Sequence, residues 1–217
     1  MNREIRIDGV YDEKTILGLK DIPVRNINFD FRPKSFNFLQ HYRFMQILEK
    51  IYNTTQRYFL HFNNESNNMI FKFLNDLDKR YQMSDNFILE FSDHQRLDFY
   101  QQFDHPFFWH YRPEKIFDEL LEIPQFKGLV LPHSFLTGLH EQGKLNNFTR
   151  NFHQLFYGKK KTSIELALSL EWNADIFPSL FDLFEFDMIC FTINNQVEHG
   201  YRQINVDLLR KHCNLVK

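Results

Sequence analysis

The sequence predicts an α/β protein built as one (β/α)8, or TIM, barrel, and three observations lead to this prediction. Strand-like runs alternate with helix-like segments eight times along 217 residues, which is typical of a parallel sheet covered by helices. An open doubly wound sheet would need only about five such units, whereas eight are enough to close a barrel. No segment rich in Pro, Gly or Ser divides the chain, so we expect residues 1–217 to form a single domain.

The predicted strands are short runs that are apolar or alternate apolar and polar residues, and polar or turn residues bound them. In chain order they are Arg3–Val10, Val24–Arg32, Arg57–Asn63, Asn86–Ser92, Pro106–Tyr111, Lys127–Pro132, Ser163–Leu170 and Asp187–Ile193. The segments between them carry apolar residues at helical spacing. The predicted helices are Phe38–Tyr52, Asn68–Tyr81, Pro113–Glu122, Asn147–Phe156, Ile176–Phe184 and Asn205–Cys213.

Polar residues occupy one parity of several predicted strands, which favours a closed barrel. In the first strand the apolar Ile5 and Ile7 alternate with charged residues on both sides. A parallel strand buried on both faces is normally apolar almost throughout, so one face here is expected to look into a barrel interior. Charges in that interior must be paired, because an unpaired buried charge is costly. We therefore expect an interior network drawn from Arg6, Asp8, Asp30, Glu90 and Glu165.

Composition and charge restrict the classes of partner. The net charge is -2 and the isoelectric point is about 6.5, which favours neither a nucleic acid nor a membrane surface. No apolar run approaches the ~20 residues of a membrane span, and the first residues lack the apolar core of a signal peptide. With only Cys190 and Cys213, a reducing compartment is expected. We predict a cytoplasmic protein that is a monomer or a homodimer.

The segment Phe29–Leu39 is the most informative part of the chain. It predicts an alternating strand that stops at Pro33, followed by a cationic, hydroxyl-bearing loop. Its sequence, Phe-Asp-Phe-Arg-Pro-Lys-Ser-Phe-Asn-Phe-Leu, resembles the second strand and loop of phosphoribosylanthranilate isomerase, a (β/α)8-barrel enzyme of tryptophan synthesis, where the family has Phe-x-Phe-Tyr-Pro-Lys-Ser-x-Arg. The opening strand Ile5–Val10 is similar to the family's apolar-Lys-apolar-Cys-Gly-Ile. Three further runs are similar mainly in position: Tyr58–Glu65, Leu168–Asp175 and Phe191–Gly200.

The resemblance also implies which catalytic residues to look for, and most of them are replaced. The family's general base is a Cys where this chain has Asp8, and its general acid is an Asp where this chain has Pro132, with His133 beside it. The Arg of the second loop is Asn37. The reaction is an Amadori rearrangement, which needs an acid and a base opposed across the substrate. Proline cannot transfer a proton.

The expected phosphate grip is missing as well. Barrels that bind phosphate use glycine-rich loops after the seventh and eighth strands and the N-terminus of a short helix. Here the seventh loop contains Glu171 and Asp175 and no Gly, and the eighth has no Gly before Gly200. The sequence therefore predicts a diverged barrel without the isomerase activity, which acts as a non-catalytic binding or interaction protein.

Two alternatives remain open. An active isomerase would use Asp8 as base and His133 as acid. An enzyme with a new small-molecule substrate would use side chains at the same barrel mouth, where the carboxyl ends of the strands meet. Candidates for binding a ligand there are Arg32, Lys34, Ser35, Glu90 and His110. For Arg32, Lys34 and Ser35 the structural interpretation is a solvated loop, with Ser35 as the N-cap of the helix predicted from Phe38.

Several His residues fall near predicted strand ends. Together with Asp8 and Glu90 they have the chemistry of a metal site; they are His61, His94, His110 and His133. No two of them share a ligand spacing such as His-x-His, and a chain with 10 His will place a few near strand ends by chance. We therefore expect no metal and no cofactor, and a small-molecule ligand at the mouth as the partner.

Overall fold

Eight parallel strands form the centre of the molecule. The computed structural model describes residues 3–19, 22, 24–81, 85–113, 117–159, 164–172, 174–177 and 179–214. The strands are β1 Glu4–Asp8, β2 Val24–Asp30, β3 Arg57–Phe62, β4 Phe87–Phe91, β5 Phe107–His110, β6 Phe126–Pro132, β7 Glu165–Leu170 and β8 Met188–Thr192. Each pairs with the next, and β8 pairs with β1 in the register Ile5↔Ile189 and Ile7↔Phe191. The predicted (β/α)8 fold class is confirmed.

Helices cover the barrel on the outside. They are α1 Glu13–Gly18, α2 His41–Ile51, α3 Asn67–Tyr81, α4 Leu97–Tyr100, α5 Phe117–Leu120, α6 His133–Glu141, α7 Leu145–Lys159, α8 Leu180–Leu183 and α9 Val206–Asn214. The long helices bury one apolar stripe, as in α2, where Phe44, Ile47 and Leu48 face the core. Among the described residues, no helix has both the length and the apolar composition needed to cross a bilayer.

Several predicted helix boundaries were wrong. The helix predicted from Phe38 begins at His41, because residues 31–40 form turns, a bridge to Asp30 and irregular backbone. The segment predicted as helix over residues 176–184 contains only the single turn α8. The helices α1, α4 and α6 were not predicted, nor was the hairpin of β9 Glu198–Gly200 and β10 Gln203–Ile204. Residues 114–116, 163 and 173, which lie in predicted elements or loops, fall outside the described residues.

The core has two parts, because successive side chains of each strand point to opposite faces of the barrel sheet. A large outer cluster lies between strands and helices, and it includes Ile5, Ile7 and Phe29. A second cluster fills the barrel interior, and we call it the interior plug: Phe59, Ile88, Phe108, Val130, Ala167, Met188 and Cys190. Both parities are therefore buried, one against helices and one inside the barrel, as the sequence predicted.

Charged side chains lie at both ends of the interior plug. At the N-terminal end of the strands, Arg57 donates to Glu165 Oε1 at 2.6 Å, to Glu4 Oε2 at 2.6 Å and to Asn26 Oδ1 at 2.7 Å. The prediction of one network that includes Glu165 was wrong, because Glu165 begins β7 and lies at the opposite end of the barrel from Glu90. Inward-facing residues of one strand are about 6.6 Å apart. Arg57, Phe59 and His61 of β3 together therefore reach from one end of the barrel interior to the other.

Candidate functional site

Five interior side chains converge where the strands β1, β3, β4 and β5 end. At their centre is the fully buried Arg6, which packs over the Phe59 ring of the interior plug at 4.5 Å. Its guanidinium donates to both carboxylate oxygens of Asp8, at 2.6 and 3.0 Å, and to both oxygens of Glu90, at 2.5 and 3.2 Å. One cation thus holds two acids in forked geometry, the strongest form of charged hydrogen bond.

Two histidines complete the cluster on the other side of Glu90. Nε2 of His110 lies 2.7 Å from Glu90 Oε1 in a hydrogen bond, and Nδ1 of His61 lies 3.4 Å from the same oxygen. The two rings stack with centroids 4.7 Å apart and an interplanar angle of 16°. We call Arg6, Asp8, His61, Glu90 and His110 the mouth network.

The pKa values within the mouth network are strongly perturbed. Burial raises the pKa of Asp8 to about 6, although the Arg6 guanidinium opposes this shift. Burial would also raise the pKa of Glu90, but Arg6, His110 and His61 together hold it well below its usual value. Burial lowers the pKa of His61 well below that of a free imidazole. Such clusters of opposed pKa shifts in one place are more common at functional sites than elsewhere.

Polar side chains of the loop after β2 form hydrogen bonds with other groups of the protein. Asp30 accepts from the Arg32 guanidinium at 2.6 and 2.8 Å, from the Arg32 backbone N–H at 3.0 Å and from the Ser35 hydroxyl at 2.5 Å. Ser35 is not a helix N-cap, since Gln40 precedes the first residue of α2. Lys34 is exposed. Arg32 and Ser35 are therefore held by Asp30, and of the three loop candidates Lys34 extends into solvent.

This loop gives a testable prediction for the substitution Asp30→Asn. Burial alone would raise the pKa of Asp30, but hydrogen bonds from Arg32 and Ser35 and the nearby cationic groups lower it below its usual value. We expect Asp30→Asn to lower the free energy of unfolding by about 2 kcal/mol at pH 7, the value of hydrogen bonds to a charged group. A depressed carboxyl pKa stabilises the fold above its unfolded-state pKa, and that contribution is lost as pH falls through the folded-state pKa.

Urea unfolding at pH 7 and at successively lower pH values checks this. The difference between wild type and Asp30→Asn should shrink once pH falls below about 4. The exposed substitution Lys34→Gln is the control and should leave the free energy of unfolding unchanged within about 0.5 kcal/mol. A gap that stays constant down to acid pH would show that the Asp30 charge is not what stabilises the loop.

His133 lies apart from the mouth network in its contacts. It is the first residue of α6 and is 6% exposed; its ring contacts the Thr137 hydroxyl at 3.4 Å and stacks near Phe177. Burial lowers its pKa below the usual value, although Glu171 and Asp175 oppose this. These contacts are with α6 and with the loop after β7, and not with the mouth network.

Other side chains tie together the loops around β1 and β8. Asn37 is buried, and its Nδ2 donates to the Ile193 carbonyl oxygen at 2.7 Å. It packs directly over Gly9, whose φ of +74° is the left-handed conformation that glycine adopts without strain. Trp172 stacks on Phe191 at 4.6 Å and donates to the carbonyl oxygen of residue 192. Side chains therefore cover the end of β8.

Sequence reasoning thus placed Asp8, Glu90 and His110 correctly at the carboxyl ends of their strands. The interior network of Arg6, Asp8 and Glu90 was also predicted. Asp30 was expected in that network as well, but it binds Arg32 and Ser35 instead. That His61 faces Glu90 was not predicted. The pairing His61↔Glu90 between β3 and β4 places the two residues at the same height. In the sequence, each of these residues alternates with apolar neighbours along its strand. That alternation was the signal that both side chains face the barrel interior.

Comparisons with known proteins support the architecture. The sequence matches no protein-family model and no curated protein. Among solved structures, it is similar to a phosphoribosyl anthranilate isomerase from Thermus thermophilus, with 11% identity, a TM-score of 0.62 and 99% and 100% of the two chains covered. Monomers made from the dimeric isomerase of Thermotoga maritima give 13% identity, a TM-score of 0.62 and coverage of 98% and 99%.

The same fold also occurs in a protein with a different activity. An orotidine 5'-monophosphate decarboxylase from Metallosphaera sedula is 16% identical, with a TM-score of 0.56 and coverage of 100% and 97%. All of these identities are low, so the comparisons show the fold alone. The chain has the fold of the phosphoribosylanthranilate isomerases, a barrel that it also has in common with the decarboxylase.

Proposed function

We propose that this chain is a phosphoribosylanthranilate-isomerase-like barrel that does not catalyse the isomerisation and binds a small ligand at its mouth. The observation that carries the proposal is that Asp8 is hydrogen-bonded to a buried arginine. Both of its carboxylate oxygens accept hydrogen bonds from Arg6, which is fully buried and also bound to Glu90. A general base must be free to accept a proton from substrate, whereas this carboxylate is committed to an internal guanidinium.

The candidate acid also fits the reaction poorly. Burial lowers the pKa of His133 below its usual value, which reduces the fraction of the ring in the proton-donating imidazolium form near pH 7. Its ring packs against Phe177. General acid and base catalysis each contribute about 10²–10⁴-fold to a rate, so the loss of both would remove most of the acceleration.

The end of β8 supports the loss of a phosphate site. Asn37 donates to the carbonyl oxygen of Ile193, and Trp172 stacks on Phe191 and donates to the next carbonyl along the chain. A phosphate needs backbone N–H groups of open, glycine-rich loops at this place. The acidic Glu171 and Asp175 are exposed in the adjoining loop and would repel a dianion.

An active isomerase is the second candidate, and one observation favours it. The pKa of Asp8 is raised to about 6, which is in the range suited to a general base near neutral pH. In that case substrate binding would have to draw Arg6 away from Asp8. An enzyme with a new substrate is compatible with the perturbed mouth network and would use Glu90 and His110.

Complementation distinguishes these candidates. We expect that the chain, expressed in a tryptophan auxotroph that lacks the isomerase, will not support growth without tryptophan. An active isomerase on the same vector is the positive control, and immunoblotting verifies expression. Growth would overturn the proposal. If growth is then abolished by both Asp8→Asn and His133→Gln, the second candidate is established.

The remaining predictions concern setting and assembly. We propose a cytoplasmic protein that is a monomer or a homodimer and has no nucleic-acid or membrane partner. The near-neutral charge balance supports the absence of such partners. The chain has two cysteines, Cys190 and Cys213, which are too few for a disulfide framework, and this supports a reducing compartment.

A further inference from the structure

The part of the mouth network formed by His61, Glu90 and His110 has the composition of a metal site. Each residue offers one ligand atom, and these atoms lie within 4.8 Å of one another. A divalent ion binds imidazole nitrogen and carboxylate oxygen at about 2.0–2.2 Å, so its ligands are at most about 4.4 Å apart. The separations from Glu90 Oε1, 2.7 Å to His110 Nε2 and 3.4 Å to His61 Nδ1, already meet this limit.

The histidines are poorly satisfied without a further partner. His61 is 5% exposed, and within the described part of the chain its Nε2 has no hydrogen-bond partner. Buried polar atoms are nearly always hydrogen-bonded, so an orphan imidazole nitrogen needs an explanation. The other nitrogen of this ring, Nδ1, is 3.4 Å from Glu90 Oε1, which is long for a hydrogen bond. Neither nitrogen of His61 therefore has a close hydrogen-bond partner among the described residues, and a cation beside Glu90 would give Nδ1 a partner.

The surroundings suit a divalent cation. The carboxylates of Asp8 and Glu90 exceed the charge of Arg6 by one, which leaves a net negative site when both histidines are neutral. Arg6 fixes Glu90 in place through Oε2 at 2.5 Å, as outer-shell partners do for ligating carboxylates. The interior plug closes the site from below, while the side chain of His110 is 19% exposed and provides access from the mouth.

From this geometry we propose that His61, Glu90 and His110 bind a divalent first-row transition metal ion of the kind that prefers imidazole and carboxylate, such as Zn²⁺ or Fe²⁺. Two His and one carboxylate is a ligand set found for both ions, and it leaves positions open for water or a ligand. The expectation of no metal rested on spacing along the sequence, whereas these three ligands come from three adjacent strands. The proposal does not depend on whether the isomerase activity is lost.

Titration of the chelator-treated protein with Co²⁺ and Zn²⁺ tests the proposal. We expect Co²⁺ to give visible d–d absorption that saturates at one ion per chain and disappears on addition of Zn²⁺. His110→Gln should weaken Zn²⁺ binding at least about 100-fold, since even outer-shell substitutions cost 10–100-fold. The matched control His140→Gln changes an exposed histidine of α6 and should leave the affinity unchanged.

Two results would overturn the proposal. One is a wild-type protein that binds neither ion, in which case His110 and Glu90 are joined only by their hydrogen bond. The other is an affinity that His110→Gln and His140→Gln change equally, which would indicate adventitious binding. Because a variant of a buried site can fail to fold, X-ray absorption of the Zn²⁺-loaded wild type provides a second measurement. It should show two imidazole ligands, and a spectrum without them would also refute the site.

Discussion

Arg6→Met is expected to lower the free energy of unfolding by about 3–5 kcal/mol, the usual result of removing one partner from a buried ion pair. Arg6 is fully buried and is the counter-charge of both Asp8 and Glu90. Methionine retains much of the apolar stem that packs over Phe59, so the loss reports mainly on charge. Urea unfolding at pH 7 measures it.

The matched control is Arg57→Met at the other end of the barrel. Arg57 also joins two acids, Glu4 and Glu165, but its side chain is 27% exposed and theirs are 47% and 33% exposed. Water can solvate these acids once the arginine is gone, so we expect a smaller loss, about 1 kcal/mol. Equal losses for the two substitutions would show that burial does not increase the contribution of Arg6 to the free energy of unfolding.

The dependence on pH gives a further check on Arg6. Without the guanidinium, the buried carboxylates of Asp8 and Glu90 have raised pKa values, because burial disfavours the charged form. The folded variant then binds more protons than the unfolded chain, so its stability increases as pH falls from 7 towards 5. A variant that is as unstable at pH 5 as at pH 7 would contradict this account.

The fold was predictable because strand parity depends on local sequence. In β1, Ile5 and Ile7 face the helices while Arg6 and Asp8 face the interior, and simple alternation shows this in the sequence. The single-turn helix α4 was not predictable in the same way. Four residues are too few to show a helical period, and such a turn depends on its packing for stability.

The candidate site was only partly predictable, because its contacts join different strands. The sequence shows that Glu90 and His110 lie near the ends of their strands, but only the barrel register shows that His61 lies beside Glu90. His133 is the opposite case. It directly follows β6, as expected, but it is the first residue of α6, so its ring packs with Thr137 and Phe177.

The second large effect is expected for Gly128→Ala in the barrel interior. A Cβ at Gly128 would lie 2.0–2.3 Å from three ring atoms of Phe108, far inside van der Waals contact. Phe108 is fully buried and packs edge-on against Phe59 at 5.1 Å, so the ring cannot move without moving the interior plug. We expect a loss of about 3 kcal/mol in the free energy of unfolding, the upper end for overpacking.

Gly138→Ala is the matched control for this substitution, since its Cβ would have no atom within 4 Å. Gly138 lies inside α6, and alanine there should stabilise the fold by about 0.5–1 kcal/mol through better helix propensity. Adding Phe108→Leu to Gly128→Ala should recover part of the lost free energy of unfolding, because leucine leaves room for the new Cβ. The effects of the two substitutions on stability are therefore not additive. A double variant that is the simple sum of its parts would show that Gly128 is required for a reason other than the Phe108 ring.

Since Phe59 also supports Arg6 at 4.5 Å, displacing Phe108 should disturb the mouth network as well, which would weaken any ion bound at His61 and Glu90.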